Sequence, residues 1–348
     1  MERKRKYELS ALNVLFCLLV ILIHILSYPV ATFQPGTFKY NLFMFPWRMS
    51  SFVVQGFLLL SGLKVFLTHK EDMPYGKYLI SRILGVILPY TLCFAVYCLT
   101  FMVFYGYRYT FLSMFRYYIT GDLVCHLYFI PLLFQFDLLI PVWKKIVEKF
   151  SFKVVVPVAL VISLISENTL SQMITWLFPG FTYNFNDRLF PTYICYWIIG
   201  CYIGKNYDAF TESIKKNFKY VTLAFVLAFV VNAAVSFVVF NGILPYPYIN
   251  GFHGIYIIAT VLFLFALAEK YGEKIFEKFR ILQEIDRASF TIYLYHMFVL
   301  YCANKILETF GIVAQAPSFA VRVIFVYTLT PVLCILYERA KKKLWRRF

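Results

Sequence analysis

Apolar residues run in long blocks separated by short charged clusters, and the length of the blocks carries the first inference. A helix needs about 20 apolar residues to cross a bilayer. Ten runs reach or approach that length, at 9–31, 50–68, 83–105, 123–142, 152–168, 189–204, 218–240, 252–269, 286–304 and 319–338. The gaps between them are too short for a soluble domain. The pattern therefore predicts an all-α polytopic membrane protein with about ten transmembrane helices. One transmembrane domain covers 1–348, with no separate soluble domain. The first run is longer than the core of a cleaved leader and is read as a retained helix.

Polar positions inside these runs are the next signal, because a polar group in lipid costs free energy and is kept for a reason. In the first run Ser10, Asn13, Cys17, Val20, His24 and Ser27 recur at steps of three and four, which places them on one helix face. Asn13 and His24 then lie about 16 Å apart along the axis. In the ninth run Ser289, Tyr293 and His296 share a face in the same way, with His296 near the midplane. Arg82 opens the third run and Lys77 precedes it. Asp137 lies in the fourth and needs a partner, for which Arg82 is the candidate.

Composition strengthens the membrane reading. Apolar residues make up 61% and charged residues 15%, against roughly 45–50% and 25% in soluble chains. That excess excludes a cytosolic enzyme, a secreted disulfide scaffold and a disordered chain. The net charge of +16 invites a nucleic-acid reading, but the charges are distributed by topology. Twenty-seven of the 34 Lys and Arg residues fall in the N-terminal segment and the alternate gaps that share its side, and seven fall opposite. By the positive-inside rule both termini are cytoplasmic. No nucleic-acid partner is expected; membrane lipid is.

The eight cysteines lie in or beside the runs, without C-x-x-C or metal-ligand spacing to a histidine, so no metal is expected. Of the five histidines, His69 reads as cytoplasmic. His24, His126, His253 and His296 map to the outer half or the midplane, His253 at the interface. An imidazole can take and return a proton near neutral pH. That suits proton-coupled transport and equally suits activation of a sugar hydroxyl. The outer segments 32–49, 106–122 and 169–188 are aromatic, with Trp176 and Tyr183 in the last and a short interfacial helix expected in the second. Such residues form a headgroup belt or a platform for sugar rings; the sequence fits both.

Several segments resemble the acyltransferase type 3 family of bacterial integral membrane proteins, which includes the polysaccharide-intercellular-adhesin membrane protein group. The strongest is Ser289-Phe290-Thr291-Ile292-Tyr293-Leu294-Tyr295-His296, similar to that family's late-helix "iS-x-x-iYLlH" segment. Leu9 to His24, Gln55 to Gly62, Arg82 to Pro89, His126 to Pro141 and Trp197 to Gly204 resemble further segments in family order. Three positions depart from the pattern. The Arg of the R-x10-H motif falls at Asn13, a second expected Arg at Gly85, and the Asp before the first at Ser10.

The resemblance implies ten core helices in a cell membrane, expected to be the bacterial plasma membrane. It implies O-acyl transfer, usually of acetyl, from cytoplasmic acyl-CoA as co-substrate to a cell-surface or exported glycan. His24 would be catalytic, with Asn13, Tyr293 and His296 completing the site. Arg82 and Lys77 would hold the donor's phosphates, and His126, Trp176 and Tyr183 would meet the glycan acceptor. Glycan-synthesis proteins are the expected protein partners. The rival reading is an exporter of polysaccharide, or a proton-coupled transporter, using the same histidines. A non-catalytic scaffold in a glycan-synthesis complex is a third.

Overall fold

The computed structural model describes residues 5–68, 74–179, 183–245, 249–312 and 315–345; the expectation for His69 lies outside them. Helix is the regular structure throughout the described residues. In chain order the helices are α1 (Tyr7–Thr32), α2 (Phe38–Ser50), α3 (Val53–Thr68), α4 (Tyr75–Arg82), α5 (Leu88–Tyr105), α6 (Phe111–Thr120), α7 (Phe129–Leu138), α8 (Ile140–Lys149), α9 (Phe152–Leu177), α10 (Ile194–Lys205), α11 (Tyr207–Lys216), α12 (Phe218–Phe240), α13 (Ile249–Lys278), α14 (Ile281–Thr309) and α15 (Gln315–Trp345). They form two compact units, Met1–Gly56 with Thr211–Phe348, and Phe57–Phe210.

Seven helices among the described residues are long and apolar enough to cross a membrane: Tyr7–Thr32, Phe38–Thr68, Tyr75–Tyr105, Phe152–Leu177, Phe218–Phe240, Ile249–Lys278 and Pro317–Lys343. The other three expected runs differ from the sequence reading. α14 is 29 residues long, but Glu284, Asp286 and Arg287 and a polar face lower its hydropathy. The run 123–142 is not one helix. It holds α7 and the start of α8, broken at Leu139, because Pro141 has no N–H to offer the carbonyl of Asp137. That carbonyl accepts from Leu139 instead. The run 189–204 opens with a 3-10 turn, Phe190–Tyr193, before the 12-residue α10.

Two of the aromatic segments between the expected runs are largely helical. Most of 32–49 is helical: Thr37 caps α2 by accepting from the Tyr40 N–H, and only Ser51 and Phe52 interrupt the passage into α3. α9 runs through Trp176 to Leu177. The short helix expected in 106–122 is α6, opened by a reciprocal Thr110–Ser113 capping box. Between α4 and α5 the chain makes a π-turn at Ile83–Ile87. The reason is Pro89, which cannot donate to the carbonyl of Gly85, so the ladder re-closes with Leu88 N–H on Ile83 O.

In the first unit α1 packs against α2, α13, α14 and α15, while α14 lies along α15 and α12 along α13. Phe16 and Ile25 on α1, Met44 on α2 and Ile292 on α14 are fully buried there. The Tyr327 hydroxyl donates to Leu18 O at 2.8 Å and pins α15 to α1.

In the second unit α10 packs on α9 and α8. Its Gly200 lies so close to α3 that a Cβ there would collide with the Leu59 carbonyl. Trp197 is fully buried and stacks on Phe136 with centroids 4.6 Å apart.

Candidate active site

The stripe predicted on α1 faces α14, and the two match in period. Asn13 Nδ2 donates to Asp286 Oδ1 at 2.9 Å and to Ser289 Oγ at 2.7 Å. Cys17 Sγ donates to Ser289 O at 3.5 Å, and Ser289 Oγ donates back along its helix to Asp286 O at 2.8 Å. Arg5 closes this end. Its Nη2 donates to Asp286 Oδ2 at 2.6 Å, its Nε to Ser10 Oγ at 3.2 Å and its Nη1 to Gln283 Oε1 at 3.3 Å. Arg5, eight residues before Asn13, thus places its guanidinium on the same carboxylate that Asn13 binds.

Farther along the same two helices the imidazoles meet. His24 and His296 have ring centroids 5.1 Å apart, tilted by 36°. His296 is 1% exposed, and its Nδ1 lies 2.7 Å from Tyr293 O and 3.3 Å from Ile292 O. A carbonyl only accepts, so Nδ1 carries the proton, and in the neutral ring Nε2 presents its lone pair. The Tyr293 ring lies 6.1 Å from that of His296. Two imidazoles in contact, one with its tautomer held by backbone, can take up and hand on a proton. The structure brings Asn13, His24, Tyr293 and His296 together in one unit.

Arg5 and Asp286 were missed by the sequence reading. A signal for Asp286 was present: it extends the stripe of Ser289, Tyr293 and His296 back by one further step of three. His253, expected at the interface, is buried instead. Its Nδ1 donates to Asn232 Oδ1 at 3.1 Å, and its Nε2 lies 3.0 Å from Ser51 Oγ.

The remaining candidates lie in the second unit. Asp137, fully buried, receives Arg82 Nε at 2.7 Å on Oδ2 and the Tyr78 hydroxyl on Oδ1. The partner foreseen for Asp137 is therefore present. Tyr78 and Arg82 are four residues apart and share a face. Lys77 precedes Arg82 by five, about 140° around the helix, and is exposed. His126 is buried, edge-on to Tyr97 with centroids 5.8 Å apart. Trp176 is 79% exposed. Tyr183 is half-buried beside Phe185; burial, with the nearby Asp187 carboxylate, pushes its hydroxyl up to about 12, so it stays neutral. Among the described residues no group of three or more His, Cys, Asp or Glu stands together in a way that could hold a metal ion.

A family model described as an acyltransferase domain matches residues 6–339, nearly the whole chain. The chain belongs to the acyltransferase type 3 family. It is a multi-pass membrane acyltransferase. No curated protein and no solved structure gives a match. Both the stripe of α1 and that of α14 fall inside the matched range of this acyltransferase, as do Arg82 and Asp137.

Proposed function

We propose that the protein is an O-acyltransferase that moves an acyl group, acetyl foremost, from cytoplasmic acyl-CoA to a hydroxyl of a cell-surface or exported glycan. The observation that carries this is the His24–His296 pair, held on two long helices with the His296 tautomer set by Tyr293 O. In the transfer, the glycan hydroxyl gives its proton to His24 as its oxygen bonds to the acyl carbon. The thioester C–S bond breaks, and the proton passes to the departing thiolate. No redox partner is needed. His296 positions His24, and Tyr293 orients His296.

The cytoplasmic side of the proposal rests on charge. Arg5, Asp286 and Asn13 form the N-terminal mouth of the α1–α14 stripe. Arg82, oriented by Asp137, and Lys77 are the proposed ligands of the donor's phosphates. His126, Trp176 and Tyr183 are proposed contacts of the glycan. The family and the excess of Lys and Arg on the N-terminal side support this orientation.

Mass analysis of surface glycan from cells with the gene, without it, and with His24→Gln tests the proposal. Acyl groups should be present in the first and absent from the other two, with polymer length and amount unchanged. Loss of surface polymer in the His24→Gln cells would identify an exporter and overturn the reading.

A further inference from the structure

At the end of α1 remote from the N-terminus the first unit contains a cavity of about 290 Å³. Its walls include the aromatic rings of Tyr28, Phe33, Phe43 and Phe319, and two cations, Lys39 and Arg322. Phe33 stacks on Phe43 with centroids 5.5 Å apart, and Phe319 meets Phe43 edge-on at 5.1 Å. No acidic side chain lines it.

Arg322 is the decisive residue. It is only 8% exposed, and its guanidinium lies 4.1 Å from the centre of the Tyr28 ring. Nε donates to Asn304 Oδ1 at 2.8 Å and Nη1 to Ser318 Oγ at 3.4 Å. Both partners are neutral, and among the described residues no carboxylate pairs with Arg322 or with Lys39. A buried charge held by neutral dipoles and a ring face, with no counter-charge among the described residues, is costly, and Arg322 and Lys39 are both among the residues that line the cavity. The guanidinium's planar fork suits a carboxylate or a phosphate. The flat aromatic walls suit a ring more than an acyl chain. His24 and Tyr28 are one turn apart on one face of α1, about 6 Å along the axis.

We propose that this cavity binds the anionic group of an acidic glycan, a carboxylate or phosphate held between Arg322 and Lys39, and so presents a neighbouring hydroxyl to His24. The assignment rests on the acyl-transfer reading above and adds to it the class of acceptor.

The test is binding of a uronic-acid tetrasaccharide and of its methyl ester to the purified full chain in nanodiscs of neutral lipid. The acid should bind about tenfold tighter or more, the worth of one charge-assisted contact. Lys39→Gln and Arg322→Gln should each remove most of that preference, while Arg322→Lys keeps part of it. If Arg322→Gln does not fold, Lys39→Gln, at an exposed position, decides alone.

Equal binding of acid and ester, or a preference unchanged in folded Lys39→Gln protein, overturns the proposal. So does displacement of the acid by phosphatidylglycerol, which would mark a lipid headgroup site. Acetyl-CoA turnover on the same samples keeps the two readings apart. Charge-selective binding without any transfer would sink the enzyme and leave the pocket, whereas transfer without charge selection would do the reverse.

Discussion

The imidazoles of His24 and His296 lie 5.1 Å apart, centroid to centroid, although they come from α1 and α14, 272 residues apart in sequence. Under the proposed transfer His24 is the reacting group and His296 its support. With purified protein and an acyl-CoA, His24→Gln should lower transfer at least about a hundredfold, the lower end of what a general base supplies. His296→Gln keeps a hydrogen-bonding side chain and should cost less. Both variants should melt within a few degrees of the parent; equal activity in folded His24→Gln protein would remove the residue from the chemistry.

The Arg82–Asp137 pair predicts a non-additive stability series. Asp137 is fully buried and Arg82 partly so. Asp137→Ala leaves a guanidinium without its counter-charge, and Arg82→Ala orphans a buried carboxylate. Each should cost about 3–5 kcal/mol. The double variant should recover much of the loss, and Tyr78→Phe should cost about 1.5–3 kcal/mol, one hydrogen bond to a charge. Melting in detergent measures all four. Donor affinity of the folded double variant then asks separately whether Arg82 serves the phosphates.

Asn13 donates two hydrogen bonds, to Asp286 and to Ser289, and these define its tolerance. Asn13→Ala should cost about 1.5–3 kcal/mol through loss of the bond to Asp286. Asn13→Asp should be worse, because it sets a second carboxylate against Asp286 where an amide now donates. Protein yield and melting temperature should follow that order; an Asn13→Asp protein as stable as the parent would mean that Arg5 alone neutralises this end.

Glycine tolerance should differ sharply within the second unit. Gly200→Ala drives a methyl into the Leu59 carbonyl, and overpacking of this kind costs about 1–3 kcal/mol. Gly85→Ala meets nothing within 4 Å and, inside a helical turn, should stabilise by about 0.4–1 kcal/mol. Paired melting curves check the contrast.

Topology is testable with single cysteines in a background lacking the exposed Cys125. Positions in 143–150 and 270–280 should label from the cytoplasm only, and positions in 32–46 and 170–179 from outside only. Two neighbouring segments labelled from one side would overturn the expected ten crossings.

The periodicity of α1 was legible because small and polar residues recur at helical spacing against an apolar background, and lipid penalises such residues unless they find partners. His24 and His296 were legible for the same reason. What each stripe faces was not. Asp286 opens the ninth run beside Arg287, and nothing in the sequence says that it meets Asn13 and Arg5. His253 reads as a headgroup residue until Asn232 and Ser51 are placed against it.

The sequence by itself determined the all-helical membrane class, most helix positions and the polar faces of α1 and α14. These depend on local apolar length and on the 3.6-residue period. Only the tertiary structure decided that Arg5 occupies the carboxylate beside Asn13 and that Lys39 and Arg322 share one aromatic cavity. Those outcomes depend on which helices lie side by side, and neither composition nor period encodes that.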